Sequence, residues 1–239
     1  MRKHIPNFLT CLNLSSGCIA CVMAFHGEYM WVVVWVVIAG LFDFSDGFAA
    51  RFLKAYSPIG KELDSLADMV SFGFAPSLAV FTLLSEKVPV ISQNPVICEY
   101  LPYMAFLLAI FSALRLAKFN VDERQSESFI GLNTPANGFF WVSFCYGLMT
   151  HENIVFSSGL VYTILIGIIV FSLLMVSELP MFSLKIKSLK LKGNEQRYFL
   201  AVFIIGLFAL IGVLAIAAGI LLYIALSIIG NRNKPVSEA

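Results

Sequence analysis

Four aspartates, an arginine and two glycines crowd the stretch from Asp43 to Asp68, DFSDGFAARFLKAYSPIGKELDSLAD, in a chain whose other apolar stretches carry little charge. Asp43 and Asp46 are three residues apart and Asp64 and Asp68 four apart, so on helices each pair shares one face. Ser57-Pro58 falls in a short break between them, which makes the two helices antiparallel neighbours and sets the pairs opposite each other. Four converging carboxylates repel unless protons or divalent cations intervene. An all-oxygen donor set favours Mg²⁺ or Mn²⁺ over zinc, and four carboxylates suffice to bridge two ions. Two ions about 3.5–4 Å apart form a clamp for in-line phosphoryl transfer. Gly47 and Ala50, on the face of Asp43 and Asp46, leave room for a ligand to approach the backbone, and Arg51, one turn beyond Gly47, can fork onto phosphate oxygens. These residues describe a pyrophosphate site. Helix capping or pairing with Lys54 and Lys61 would account for any one aspartate, but not for all four with small residues and an arginine between them.

The elements that must position this cluster are membrane helices. The 239 residues are 59% hydrophobic and 13% charged, with a mean hydropathy of +0.85, whereas soluble domains are usually about one quarter charged. The composition predicts an all-α polytopic membrane protein, where each ionisable group at depth costs about 2.5–3.5 kcal/mol on insertion and so marks function. A net charge of +1 says nothing about nucleic acid, and nothing basic enough to bind it appears outside short loops, so no nucleic-acid partner is expected. The opening MRKHIPN and the apolar run after it look like a signal peptide, but no small-residue cleavage site follows and Asn13 interrupts the run, so a retained first helix is expected. Cys18 and Cys21 form a CxxC within an apolar helix with no second pair, which reads as packing. His4, His26 and His151 have no evident catalytic partner.

Apolar segments predict spans near 7–25, 29–53, 59–84, 100–119, 136–149 and 159–180, then a longer stretch over 198–229. As one helix that stretch would run about 48 Å against a hydrocarbon core of about 30 Å. It is therefore either one long tilted helix or a hairpin turning near Gly212 to Gly219, and Arg232 and Lys234 in the tail favour the hairpin, giving eight helices rather than seven. Arg2, Lys3, Arg51, Lys54, Lys61, Lys118, Arg124 and the lysines of the loop SLKIKSLKLKGNEQR (183–197) fall on one side, and the opposite loops hold only Lys87. The positive-inside rule makes the aspartate-rich turn cytoplasmic. The basic loop reads as an anchor on anionic headgroups.

The pattern Asp-x-x-Asp-Gly-x-x-Ala-Arg, eight residues, then Gly-x-x-x-Asp-x-x-x-Asp resembles the signature of the CDP-alcohol phosphotransferases, and reads here as Asp43, Asp46, Gly47, Ala50, Arg51, Gly60, Asp64 and Asp68 without departure. The segments IPNFLTCLNLSSG (5–17), DSLADMVSFGFAPS (64–77), ALRLAKFN (113–120), FIGLNTPANG (129–138) and SELPMFSLK (177–185) are similar to the bacterial and archaeal membrane-type phosphatidylserine synthases, with Asn133 and Asn137 departing from the usual pattern of their segment. The resemblance implies a six-helix core over 1–185, with the basic loop and one or two further transmembrane helices over 186–239. It implies transfer of a phosphatidyl group from CDP-diacylglycerol to L-serine, with release of CMP, in the cytoplasmic (inner) membrane, by a chain that commonly forms a homodimer.

By the same resemblance, Asp43, Asp46 and Asp64 hold one Mg²⁺ or Mn²⁺, Asp43, Asp64 and Asp68 hold the other, and Asp68 is the general base. Gly47, Arg51 and Ser57 look like nucleotide and phosphate contacts, joined by Asn7 and Thr10 at the start of the first helix. Serine carries a carboxylate, so a cation near the cytoplasmic face is wanted: Arg115 is the candidate, with Lys118 and Asn120 beside it. The acyl chains need only a lateral opening lined by aromatic and aliphatic residues. Two other readings stand beside this one. Another CDP-alcohol phosphotransferase, for phosphatidylglycerophosphate or phosphatidylinositol phosphate, would want a second cationic cluster, and a cation transporter would place its acids near the bilayer midplane.

Overall fold

The computed structural model describes residues 4–122, 129–151, 154–181 and 194–232, and these are almost wholly helical. Helix α1 (Ile5–Phe25) starts with Pro6 in its first turn, where a missing N–H costs nothing, and ends before Gly27, whose φ of 72° turns the chain into α2 (Tyr29–Phe52). At the other end Lys54 takes a φ of 50° and Ser57 caps α3 (Pro58–Asp68), its Oγ accepting from the Gly60 N–H at 3.0 Å. The chain then widens into a π-helical turn, Met69–Phe74, and continues as α4 (Ala75–Ile91). The short α5 (Pro95–Tyr100), capped by Asn94, and a 3₁₀ turn, Leu101–Ala105, lead into α6 (Phe106–Val121).

A two-residue antiparallel ladder, β1 (Phe129–Ile130) with β2 (Pro180–Met181), closes the end of the bundle where α6 stops, α7 (Thr134–Thr150) begins and α8 (Ser158–Val176) finishes. Helices α9 (Glu195–Ile211) and α10 (Leu214–Arg232) form the hairpin that the length of 198–229 argues for, turning at Gly212, whose φ is 57°. Gly219 lies inside α10 and gives Ile204 of α9 its close approach. The basic segment expected over 183–197 lies outside the described residues up to Gly193.

Among the described residues five helices are long and apolar enough to cross a membrane: Ile5–Phe25, Tyr29–Phe52, the continuous Pro58–Ile91, Pro95–Val121 and Ser158–Val176. The fold is that of an all-α integral membrane protein. Its interior shows how such bundles pack: α1 turns inward the face Pro6, Thr10, Asn13, Gly17, Ala20 and Ala24, while Phe8, Val22 and Phe25 face outward. Without a hydrophobic drive between helices in lipid, small residues permit close backbone approach and polar ones bind across the seam. Helix α7 is the most enclosed, burying Asn137, Gly138, Trp141, Cys145 and Leu148.

Candidate active site

Helix α2 carries Asp43 and Asp46 in its last turns, and α3 carries Asp64 and Asp68 just before the π turn. The antiparallel crossing brings one oxygen each of Asp43, Asp64 and Asp68 within 4.8 Å of one another. Asp46 stands outside that group, and its Oδ2 accepts from the hydroxyl of Thr10 at 2.6 Å. Of the four expected carboxylates the structure therefore gathers three and ties the fourth to α1.

A divalent cation fits this arrangement. Asp64 Oδ1 is buried with no hydrogen-bond partner among the described residues, and a buried carboxylate oxygen facing other carboxylates is stable only beside a cation or a proton. The donors are all oxygen, the preference of hard cations.

A cavity of about 580 Å³ opens beside the cluster. Its wall includes Asn7, Thr10, Asp43, Asp46, Gly47, Arg51, Ser57 and Asp64, so most of the expected site residues meet on one surface. Gly47 leaves its side open, since a Cβ there would meet nothing within 4 Å. Gly60 lets α3 start close to α1, where a Cβ would fall 3.0 Å from Asn7 Oδ1. Ser57 both caps α3 and faces the cavity. Asp68, 9% exposed, is not part of this wall and sits deeper.

The residues expected at the acceptor are arranged differently. Arg115 is buried at 7% exposure on α6, stacks over the Phe119 ring at 5.1 Å and lies within electrostatic reach of Asp68 and Tyr223. Lys118 is drawn away from the cavity, pairing with Glu178 beyond the end of α8 and reaching the Val176 carbonyl at 3.5 Å. Asn120 Nδ2 donates to Ser65 Oγ at 2.9 Å, and its carbonyl accepts from Lys61 Nζ at 2.8 Å, so it fastens the end of α6 to α3.

Tyr56, Lys61 and Phe119, which are not among the expected site residues, also line the cavity, and Asn13, likewise not among them, donates through Nδ2 to Asp68 Oδ1 at 3.1 Å. Asn13 did carry a signal. It follows Asn7 and Thr10 at intervals of three, on the one face of α1 that is polar in an otherwise apolar helix.

The fold and the site define an integral membrane protein with an acidic cluster suited to metal-assisted phosphoryl chemistry on an open-walled cavity that also holds Arg51 and Lys61. A family model, CDP-alcohol phosphatidyltransferase, matches residues 3–175, and the chain belongs to that family. It is 34% identical over 146 residues to the CDP-diacylglycerol–serine O-phosphatidyltransferase of Bacillus subtilis, covering 60% of this chain and 77% of the relative. A Helicobacter pylori J99 protein of the same name is 31% identical over 244 residues, covering 96% and 95%. One from Methanocaldococcus jannaschii is 32% identical over 142 residues, covering 59% and 60%.

Proposed function

We propose that this enzyme transfers the phosphatidyl group of CDP-diacylglycerol to the hydroxyl of L-serine, giving phosphatidylserine and CMP. The observation that carries the reading is the acid cluster of Asp43, Asp64 and Asp68 set against a cavity that also holds Arg51 and Gly47. Relatives spanning most of their own length bear that activity in their names and supply the acceptor.

Arg51 on the cavity wall takes the oxygens of the pyrophosphate, and Gly47 lets them approach α2. Asn7, Thr10 and Ser57 offer further polar groups on the same wall. Mg²⁺ or Mn²⁺, as two ions held by Asp43, Asp46 and Asp64 and by Asp43, Asp64 and Asp68, would neutralise the carboxylates and polarise the phosphoryl oxygens. The serine hydroxyl bonds to the β-phosphorus, its proton passes to Asp68, and the bond from that phosphorus to the bridging oxygen breaks, its electron pair leaving with CMP. A carboxylate is a weak base toward an alcohol, so the proton moves late, as phosphorus–oxygen bonding makes the hydroxyl acidic. Arg115, buried and near Asp68, takes the serine carboxylate. Lys118 and Asn120, committed to Glu178 and Ser65, hold the α6 end that presents it. Phe44, exposed and also on the cavity wall, marks where the acyl chains leave for the lipid. Residues 1–185 form the catalytic core and 186–239 an accessory basic loop and hairpin, a division supported by the family match ending at residue 175.

Asp64→Asn and Asp68→Asn are expected to abolish CMP release in protein that remains inserted and folded; normal turnover in either sinks the two-metal reading. Solubilised protein given CDP-diacylglycerol with serine, inositol or glycerol 3-phosphate decides the acceptor. Product with glycerol 3-phosphate and none with serine refutes the assignment.

A further inference from the structure

Two polar side chains, one from α1 and one from the π turn, meet on the inner side of the acid cluster against Asp68. Asn13 of α1 is fully buried and donates to Asp68 Oδ1 at 3.1 Å. Ser71, also fully buried and lying in the π turn three residues after Asp68, places its hydroxyl 2.7 Å from Asn13 Oδ1 and 3.1 Å from the Asn13 carbonyl. Gly17, one turn beyond Asn13 on the same face of α1, makes room for this: a Cβ there would fall 2.8 Å from Ser71 Cα and against its hydroxyl.

We propose that Asn13 is a positioning residue for Asp68, and that Ser71 fixes the Asn13 amide in the orientation this requires. The inference rests on the reading of Asp68 as the base that receives the acceptor's proton. An amide has a donor end and an acceptor end, and only the donor end can face a carboxylate without repulsion. Ser71 decides between the two ends, because its hydroxyl donates to Oδ1 and leaves Nδ2 turned to Asp68. The N–H bond then holds Oδ1 of Asp68 and stops rotation of the carboxylate, so that the second oxygen keeps one direction for the incoming proton. A hydrogen bond to a charged group in a low-dielectric interior is strong enough for its loss to be read in turnover.

The test is a double-variant cycle on the full-length enzyme in detergent or nanodiscs, with CMP release measured at varied CDP-diacylglycerol and serine. Asn13→Ala and Asn13→Leu, the second keeping the side-chain volume, are expected to lower kcat about 10–100-fold, with KM for CDP-diacylglycerol within about twofold of the wild type. Ser71→Ala should lower kcat about 3–10-fold in protein that remains inserted and folded, with KM for CDP-diacylglycerol unchanged and a thermal midpoint lowered by the loss of a buried hydrogen bond. Ser71→Ala added to Asn13→Ala should cost nothing further, since Ser71 acts only through Asn13. Losses that multiply in the double variant, kcat within twofold for the Asn13 variants, or a rise in lipid KM that accounts for the whole effect would each overturn the proposal. Should both Asn13 variants fail to insert, Ser71→Ala decides alone, a normal kcat counting against and a lowered kcat at unchanged KM in inserted, folded protein counting for. Asp68→Asn separates the two levels. If it turns over normally, the base reading falls and this inference with it; if it is inactive while the Asn13 variants are normal, only this inference falls.

Discussion

Gly47 shows how much a single position can report about the cavity. It lies four residues after Asp43 on α2, and a side chain added there would meet nothing within 4 Å. Glycine inside a helix is destabilising by about 0.5–1 kcal/mol relative to alanine, so its presence here serves access rather than packing. Gly47→Ala should therefore fold at least as well as the wild type, while Gly47→Leu should fill the open space beside α2 where we propose the pyrophosphate approaches. The expected result for Gly47→Leu is an unchanged or raised thermal midpoint with KM for CDP-diacylglycerol raised roughly tenfold or more, about 1.4 kcal/mol of lost binding. An unchanged KM would remove this cavity from the reaction. Gly47 and Arg51 were legible in the sequence because spacing along one helix fixes which side chains share a face. The split among the aspartates was not, because which carboxylate Thr10 binds depends on how α1 lies across α2.

The α2–α3 connection and the π turn are the elements that set the site. Ser57 has two readings that substitution can separate: it caps α3 through the Gly60 N–H, and it faces the cavity. Ser57→Ala should cost about 1 kcal/mol of stability through the lost cap. Ser57→Asp keeps a good cap but sets a carboxylate where the pyrophosphate would lie, so its thermal midpoint should stay near the wild type while KM for CDP-diacylglycerol rises. A wild-type KM in Ser57→Asp would leave Ser57 a cap and nothing more. The antiparallel crossing itself could be read from Ser57-Pro58 between two acid-bearing apolar runs. The hairpin of α9 and α10 could be read from a stretch too long for one crossing. The π turn could not, because Met69–Phe74 has the composition of an ordinary helix, and its widening is decided by what packs around it: Gly17 of α1, Ser112 of α6 against Gly73, and Gly138 of α7 against the Phe72 carbonyl. The ion pair of Lys118 with Glu178 could not be read from the sequence for a related reason, since the packing of α6 on α8 is what brings the two side chains together.

At the scale of the whole molecule, the distribution of cations bears on which side of the membrane the site faces. Arg51, Lys54, Lys61 and Lys118 all lie at the end of the bundle that carries the aspartates, while Lys87 lies at the other end, its ammonium 5.5 Å from the Phe156 ring centroid. Positive residues are retained on the cytoplasmic side during insertion, and on that ground we propose that the acid cluster faces the cytoplasm. That orientation also suits the reaction, because serine and CMP are charged and would not cross the bilayer to reach a site on the far side. Single cysteines placed in a background lacking the five native ones provide the measurement. Glu62 is exposed on α3 beside the cluster, and Gln93 is exposed in the turn between α4 and α5 at the opposite end. A membrane-impermeant maleimide applied to intact cells should label Gln93→Cys at once and Glu62→Cys only after permeabilisation. The reverse pattern would place the site outside and require the alcohol acceptor to be supplied from there. Labelling of both positions in intact cells would mean that the chain inserts in two orientations, and the charge asymmetry would then be too weak to fix its topology.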